Sequence, residues 1–560
     1  MINKKELIKK IELFANLLDF HGANKFKVNA FKNAANILRR FGGDLANEVA
    51  EGTLEKIKGI GKGIASFIYE YAENNGKIKE LEELLHKTPS GILEILKIRG
   101  LGIGKVKQIY ESLQIDNLAD LEAKCRTGEL QQLKGFSEKS VQKVIDEIEK
   151  IKSSRSKLLL HRAFELSAEI KELLNDSLLF ILIEPAGELR RIREIINQID
   201  FVCLLNYEAD SKKKLVNYLK INKIDCEISS NSLLLKNFPV PIFLHFADNE
   251  KEFSEIVERL SCAPEFIAEI ENAGNFGVSE SDIFNGENYI IPEMREQEYF
   301  SLRENLRTSS DLNIDDIQGL LHFHTNYSDG INTLEEMIRG AEELGFRYAV
   351  VCDHSKSAFY ANGLNENRVL QQKEYVKEIA KASPLPVLLG IESDILNDGS
   401  LDYSDDFLVE FSFVVASIHS NFTMNEKEMT NRIIKAIENP FTDLLAHPTG
   451  RLLLSRDPYK LNIKKVIDAC AENDVAIEIN ANPNRLDLDW RNIYYAREKG
   501  VKLAINADAH SIEDLNYTLL GIKIARKAGV RKSEVINYYS FEEFIKFINR
   551  KVKREVNYGS

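Results

Sequence analysis

LLHFHTNYSDG, residues 320–330, and AINADAHS, residues 504–511, decide the reading of this chain. Each follows an apolar run with two metal-binding side chains two residues apart. They are His322 and His324 in the first and Asp508 and His510 in the second, with Asp329 soon after the first pair. Residues two apart on a strand share a face, so each pair can point both ligands one way. Four more runs end alike: AVVCDHS with His354, VLLGIESDI with Glu392, VVASIHS with His419 and LLAHPTG with His447. Six of the chain's ten histidines fall in this set of nine ligands. One histidine past an apolar run is usually a satisfied core residue; this many point to a multinuclear metal site. Imidazole mixed with carboxylate suits Zn, Mn or Fe rather than a thiolate centre.

Around these ligands, from about residue 317 to 560, seven strand-like runs alternate with amphipathic helices: LLHFH, YAVVC, PVLLGIE, FVVASI, LLAH, VAIEIN and KLAINAD. That alternation predicts an α/β barrel, whose strand ends converge on one mouth, where the nine ligands fall. At 560 residues the chain is too long for one core, and 44% hydrophobic with 29% charged residues is an ordinary soluble composition. No leader pattern is read at the N-terminus, and no apolar run approaches membrane-spanning length, so no membrane partner is expected. Six scattered cysteines fit a reducing cytoplasm. The net charge of −13 argues only weakly against nucleic acid, because placement of positive charge matters more than its sum.

The first 150 residues read as all-helical, with apolar residues at helical spacing in KKELIKKIELFANLLDF and VNAFKNAANILRR. Three glycine punctuations follow, LEKIKGIGKGIASFIYEY at 54–71, LKIRGLGIGKVKQIYESL at 96–113 and LQQLKGFSEKSVQKVIDEI at 130–148. The first two carry GxG between helices; the third keeps only its first glycine. Such turns expose backbone N–H groups at a helix start, where they and the helix dipole can hold a phosphate. Lys62, Lys105 and Lys139 lie just beyond the turns and could reach the same phosphate, which points to sequence-independent DNA binding. From 152 to about 250 a helix precedes LLFILIEP, FVCLL, DCEISS and PVPIFLHF, strands of a small α+β sheet. Residues 251–310 return to short helices and loops, and SSDLNIDD around 309–316 reads as a linker.

The helical hairpins, the connector YIIPEMRE at 289–296 and the complete ligand series resemble, over essentially the whole length, the bacterial and archaeal family X DNA polymerases with a C-terminal polymerase-and-histidinol-phosphatase (PHP) domain. The resemblance implies a helical DNA-binding domain over 1–85, a fingers-like helix-hairpin-helix domain over 90–150 and a nucleotidyltransferase-like palm over 152–250. A thumb-like region and linker over 251–315 and a distorted (β/α)7 PHP barrel over 317–560 would complete the order.

The palm departs from that family. Its relatives carry a GS-x-RR turn, an Asp-x-Asp pair and a third Asp, which together hold two metal ions. Here AGELRRIREIINQIDFVCLL keeps Gly187, Arg190 and Arg191, but Glu188 replaces the turn serine and Gln198 the first Asp. Asp200 alone survives, and Phe243 stands where the third would be aligned. One carboxylate cannot hold two Mg²⁺ ions against their hydration shells. The alternative is a misaligned strand in which Asp225 or Glu227 serves. The lysine that forms a Schiff base in related repair polymerases is matched by Phe67, which is no nucleophile.

For the barrel, the resemblance implies three divalent ions. His322, His324, Glu392 and Asp508 would hold one; Glu392 would bridge to a second on His419 and His447; Asp329, His354 and His510 would hold the third. Lys356 and Arg451 are candidate phosphate clamps, and Asn362 in FYANGL matches a family motif. The expected function is a DNA-binding, metal-dependent 3′–5′ exonuclease in repair, acting on gapped DNA or free 3′ ends, with polymerase activity lost. A small-molecule phosphatase, a non-catalytic repair scaffold and an active polymerase remain as alternatives. The sequence leaves metal identity and oligomeric state open.

Overall fold

The structure, a computed structural model, describes residues 4–41, 45–206, 210–272, 290–298 and 310–553. Among these no helix is long and apolar enough to cross a membrane. The chain divides into two compact units, Met1–Arg155 with Tyr360–Asn362, and Ser156–Phe359 with Gly363–Ser560.

The first unit is helical, as its periodicity predicts. Helices Lys4–Phe20, Lys25–Arg40 and Lys62–Glu73 bury Phe14, Phe31 and Phe67 against one another. The Phe67 ring lies 4.9 Å from Phe14 and 5.3 Å from Phe31, so it packs in the core. A second cluster, including Ile92, Val106, Leu121 and Val144, joins helices Ile103–Leu113, Leu118–Arg126 and Glu138–Ser154.

All three glycine punctuations adopt one turn. Gly59, Gly100 and Gly135 have φ of 97°, 88° and 89°, a region that side-chain-bearing residues avoid. Each stands two residues before a helix cap: Gly61, Gly102 and Ser137. The third copy therefore keeps the hairpin geometry despite its missing second glycine.

The second unit begins with a five-stranded sheet. We number its strands β1 (Phe180–Ala186), β2 (Ile199–Leu205), β3 (Cys226–Ile228), β4 (Ser232–Leu235) and β5 (Ile242–Ala247). Their spatial order is β1-β2-β5-β4-β3, with β2 and β5 parallel. Strand β4, the short SLLL run, was not anticipated from sequence.

The barrel strands are β6 (Gly319–Leu320), β7 (Tyr348–Val351), β8 (Val387–Asp394), β9 (Phe413–Ser417), β10 (Leu444–Leu445), β11 (Ala476–Asn480) and β12 (Leu503–Asn506). All seven are parallel and neighbour one another in chain order. Past the last strand, a Phe323–Ala509 bridge and the His324 N–H donating to the Ala509 carbonyl at 2.8 Å bring the two ends together. Alternation then fixes what each strand contributes. Val350, Leu388, Phe413, Val415, Ala476 and Ala504 form one buried cluster with Phe544 of the C-terminal helix Phe541–Ile548. Stepping two or four residues up the same faces reaches His354, Glu392, His419, Glu478 and Asp508.

The expected linker is docked, not free. Ser309 lies outside the described residues, but Leu312 is buried and Ser310 donates to the Val530 carbonyl at 2.6 Å. Much of the expected thumb-like region, 273–289 and 299–309, lies outside the described residues. The connector from Ile290 to Glu296 is buried between the palm and the barrel. Its Arg295 donates to the Ile290 carbonyl at 2.8 Å and pairs with Glu258. Its Glu296 meets the fully buried Lys527 at 2.6 Å, and Lys527 also donates to the Arg191 carbonyl at 2.7 Å.

Candidate metal centre

All nine expected ligands gather at the strand-end mouth of the barrel. Glu392, at the end of β8 and fully buried, lies at the middle. Its Oε1 faces His447 Nε2 at 3.0 Å and His419 Nε2 at 3.5 Å. Its Oε2 faces His324 Nε2 at 3.5 Å and His322 Nε2 at 3.7 Å. A carboxylate with one oxygen toward each histidine pair has the geometry of a bridge. Asp508 Oδ1 completes the first group, 3.1 Å from His324 and 3.7 Å from His322. Asp329 Oδ1 lies 3.3 Å from His510 Nε2 and 3.5 Å from His354 Nε2, forming the third. His354 does not keep to that third group, since its Nδ1 also lies 2.8 Å from Glu392 Oε2.

These residues fit metal ions. His322 Nε2 is buried without a hydrogen-bond partner, and the acceptors Glu392 and Asp508 each lie 3.7 Å away. Two atoms sharing one ion at about 2.1 Å stand roughly 3–4 Å apart, so this spacing suits an ion between them. His447 and Asp508 have φ of 28° and 52°, a strained backbone for residues with side chains, which packing sustains at functional sites.

The charge balance fits as well. Burial opposes ionisation of Glu392 and Asp508, yet the surrounding imidazoles hold both well below the usual carboxylate range. Burial lowers His354, but Glu392 and Asp329 outweigh it and raise the ring to about 10. For His510 the same contest, with Asp329 the main partner, ends at about 9. Burial and the neighbouring His510 and His354 charges push His324 down to about 3. Without ions, the site thus balances its carboxylates with imidazolium, a role that divalent ions can take over.

Several supporting residues escaped sequence reasoning. Glu478 on β11 is fully buried and accepts four hydrogen bonds. Its Oε1 meets His322 Nδ1 at 2.7 Å and the Asn506 amide at 3.0 Å; its Oε2 meets the His447 N–H and the Asn480 amide, both at 2.9 Å. Asp394 holds His419 Nδ1 at 2.7 Å. Such partners fix ring orientation and leave the other nitrogen for the ion. One signal was available: Glu478 interrupts an apolar strand on the face that carries the ligands.

The two expected phosphate clamps are otherwise engaged. Arg451 is buried, pairing with Glu194 of the palm at 2.7 Å and Asp489 at 2.8 Å, and donating to the Arg485 and Leu486 carbonyls. It ties the palm to the barrel. Arg485 reaches the cluster instead, with Nε 3.7 Å from Asp508 Oδ2. Lys356 pairs with Glu366 at 2.6 Å and lies 5.1 Å from the Tyr403 ring centre, which braces the loop after His354. Asn362, in that loop, has a left-handed backbone with φ of 57°.

Among the described residues, no cluster of candidate metal ligands falls in the palm. Asp200 and Phe243 are paired across the parallel strands β2 and β5. Asp200 is buried, accepting from the Gln198 amide at 3.0 Å and facing His245 Nε2 at 2.9 Å. Glu188 accepts from the Asn197 N–H at 2.6 Å. Asp225 and Glu227 are at β3, on the far edge of the sheet, where Asp225 accepts from Asn237 and Glu227 pairs with Lys236. Two strands, β5 and β4, separate them from the strand of Asp200.

At the hairpins, Gly61 and Gly102 make no side-chain cap, leaving the first N–H groups of their helices to solvent or ligand. Ser137 instead closes a capping box with Ser140, so the third hairpin, which carries Lys139, offers fewer free donors. Lys62 lines a pocket with Glu55, Ser66, Tyr69, Glu70 and Glu73. Lys105 lies over the Phe136 ring at 5.1 Å.

Comparison with known proteins agrees with this architecture. Residues 2–76 match the helix-hairpin-helix domain, 92–150 the SAM-like helix-hairpin-helix tandem and 321–482 the PHP domain. The chain is 32% identical over 580 residues to the DNA polymerase/3′-5′ exonuclease PolX of Bacillus subtilis (strain 168), covering 98% of this chain and 100% of that protein. A probable phosphatase of Thermoanaerobacter sp. (strain X514) is 29% identical over 250 residues, 42% of this chain and 96% of that protein. Another, from Vibrio atlanticus (strain LGP32), is 26% identical over 246 residues, 40% of this chain and 91% of that protein. The clustered ligands and the PHP match make the barrel a metal-dependent phosphoesterase domain, and the full-length likeness settles the family: the chain belongs to the PolX family.

Proposed function

We propose that this PolX protein is a metal-dependent 3′–5′ exonuclease in DNA repair and that its palm no longer polymerises. One observation carries the reading. The barrel gathers the nine candidate ligands around Glu392, while of the three acid positions that the resemblance implies for the palm only Asp200 carries a carboxylate, paired with Gln198 and His245. The exonuclease activity in the name of the Bacillus subtilis relative supports it. In functional terms the chain divides into DNA-holding hairpin domains over 1–85 and 90–150, an inert palm over 152–250, a thumb-like stretch over 251–315 and the nuclease over 317–560. Its setting is the cytoplasm, and its substrates are gapped DNA or free 3′ ends.

Three bound divalent ions, Zn, Mn or Fe, would supply Lewis acidity and an activated water. His322, His324, Glu392 and Asp508 would hold the first, His419 and His447 the second with Glu392 between, and Asp329, His354 and His510 the third. Glu478 keeps the His322 ring turned so that Nε2 faces the cluster. Arg485 presents its planar donors beside Asp508, suited to the non-bridging oxygens of a phosphodiester. Asn362 contacts the substrate from the loop that Lys356 braces. The first two hairpins, with Lys62 and Lys105, hold the DNA backbone without reading sequence.

The test replaces His322 and His324 together by Ala. Metal content and cleavage of 3′-labelled single-stranded and gapped DNA should both fall, while gapped-DNA binding persists. Cleavage at the parent rate after metal loss would put the nuclease elsewhere. A second reading, a phosphatase on small esters, draws on the probable phosphatases that the barrel half matches over nearly their full length. A parent enzyme that ignores DNA but rapidly hydrolyses a phosphomonoester would favour it.

A further inference from the structure

We propose that Phe359 is a nucleobase-stacking post at the rim of the metal centre, holding a base near the scissile phosphate. The proposal rests on the exonuclease reading above. Phe359 is 81% exposed, and among the described residues no aromatic ring or cation packs against it. Other apolar side chains are as exposed, Phe26 at 86% and Leu178 at 83% among them; what sets Phe359 apart is its place in the loop that follows His354.

The placement is rigid and close to the ligands. Phe359 sits at the tip of a loop that begins directly after His354. The base of that loop is closed by the Leu364 N–H donating to the His354 carbonyl at 2.8 Å and by a Ser355–Leu364 bridge. Gly363 makes the closure possible, since a Cβ there would meet the Ser355 carbonyl oxygen at 1.9 Å. The Ser357 N–H and hydroxyl both donate to Asp402 at 2.6 Å, and Lys356 is tied to Glu366. The Ala358 N–H donates to the Ser355 carbonyl at 3.0 Å, a turn that keeps the loop short. A β-turn spans under about 7 Å, which puts the Phe359 backbone roughly 10–12 Å from that of His354. That is within reach of the nucleotides flanking a phosphate held at the ligands.

The chemistry favours a base over other occupants. Every base has a π-face, so a fixed ring holds a strand without reading its sequence. A protein-docking patch would need contiguous apolar surface. Here Ser357 and Asn362 flank the short Ala358–Ala361 stretch, and Phe359 is its most exposed ring. Bases are free to stack in this way only where the strand is unpaired, so the post acts on single-stranded ends.

The experiment pairs a protein change with a substrate change, using the metal-loaded full chain. Phe359→Ala and the conservative Phe359→Trp are compared with the parent on 3′-labelled single-stranded oligonucleotides. The oligonucleotides carry either all four bases or one abasic analogue at each of the last three positions in turn. Phe359→Ala should keep its metal content and lose about 5- to 100-fold in kcat/KM. Phe359→Trp should restore the rate. At one of the three positions, base removal should slow the parent by a similar factor and leave Phe359→Ala unaffected. If Phe359→Ala cleaves intact oligonucleotides like the parent, the stacking post is overturned and the exonuclease reading stands. The same holds if its loss is independent of the abasic position. If the metal-loaded parent cleaves none of these DNAs, the exonuclease reading itself fails, and the stacking post with it.

Discussion

Replacing Glu478 by Gln is the sharpest test of how the metal centre is built, because this residue touches ligands without being one. Its two oxygens receive four donors: His322 Nδ1 and the Asn506 amide on one, the His447 N–H and the Asn480 amide on the other. Glutamine has one acceptor oxygen, and its NH₂ would be turned toward two donors that then lose their partner. Each buried donor left unsatisfied costs about 1–3 kcal/mol, so the folded protein should lose roughly 2–5 kcal/mol. The ring of His322 also loses the charged partner that fixes which nitrogen faces inward. Loss of such a partner costs typically 10- to 100-fold in metal affinity or activity. Titration of the metal-free protein against a chromophoric chelator reads the affinity, and a thermal melt reads the stability. The expected result is weaker binding of the ion on His322, with DNA binding by the hairpins unchanged. Affinity within twofold of the parent and an unchanged melt would refute the role given to Glu478.

Metal uptake should release protons at pH 7, since His354 and His510 are raised to about 10 and about 9 and must become neutral to bind an ion. Calorimetric titration in two buffers of different ionisation enthalpy measures this; zero release would contradict those raised values. For the metal-free protein the sign follows from both raised pKa values. Their stabilisation is complete below about pH 6.5 and fades as pH climbs through 9–10, so the melting temperature should fall over that window. Charge reversal at Lys62 or Lys105 should weaken binding to DNA of any sequence and lower the log–log salt slope by roughly one unit per lost contact. Lys139→Glu should do less, because the Ser137–Ser140 capping box occupies its helix start; equal losses at all three would show that capping does not matter. In a variant lacking His322 and His324, no templated extension of a gapped primer should appear with Mg²⁺ or Mn²⁺. Extension that vanishes with Asp200→Asn would restore the polymerase.

The sequence made the barrel and its nine candidate ligands legible because both obey local rules. Strand alternation put His322 with His324 on one face, and a parallel barrel brings its strand ends to a single mouth. In the palm, the strands carrying Asp200 and Phe243 were equally readable, and the register pairs the two residues. What stayed hidden depends on partners distant in the chain. Glu478 gains its meaning only from a histidine 156 residues earlier. Arg451 looked like a clamp beside His447, yet its guanidinium turns to Glu194, 257 residues away. No local pattern distinguishes an arginine that will face a ligand from one that will face another domain. The capping serine of the third hairpin lay in plain view, but its effect on donor supply follows from geometry rather than from the missing glycine.

Lys527 sets a limit on what this chain can discard. Its ammonium is sealed beneath the palm, against Glu296, the Arg191 carbonyl and the face of Trp490, 5.0 Å from the ring centre. Uncovering such a pair by removing one partner costs about 3–5 kcal/mol, a large part of a domain's stability. Gln198 and Phe243 lie outside this joint, whereas excising the palm would take away the Arg191 carbonyl and open it. The phosphoesterase barrel is therefore tied to the domains before it, and substitution can alter the palm's chemistry more readily than deletion can remove the palm.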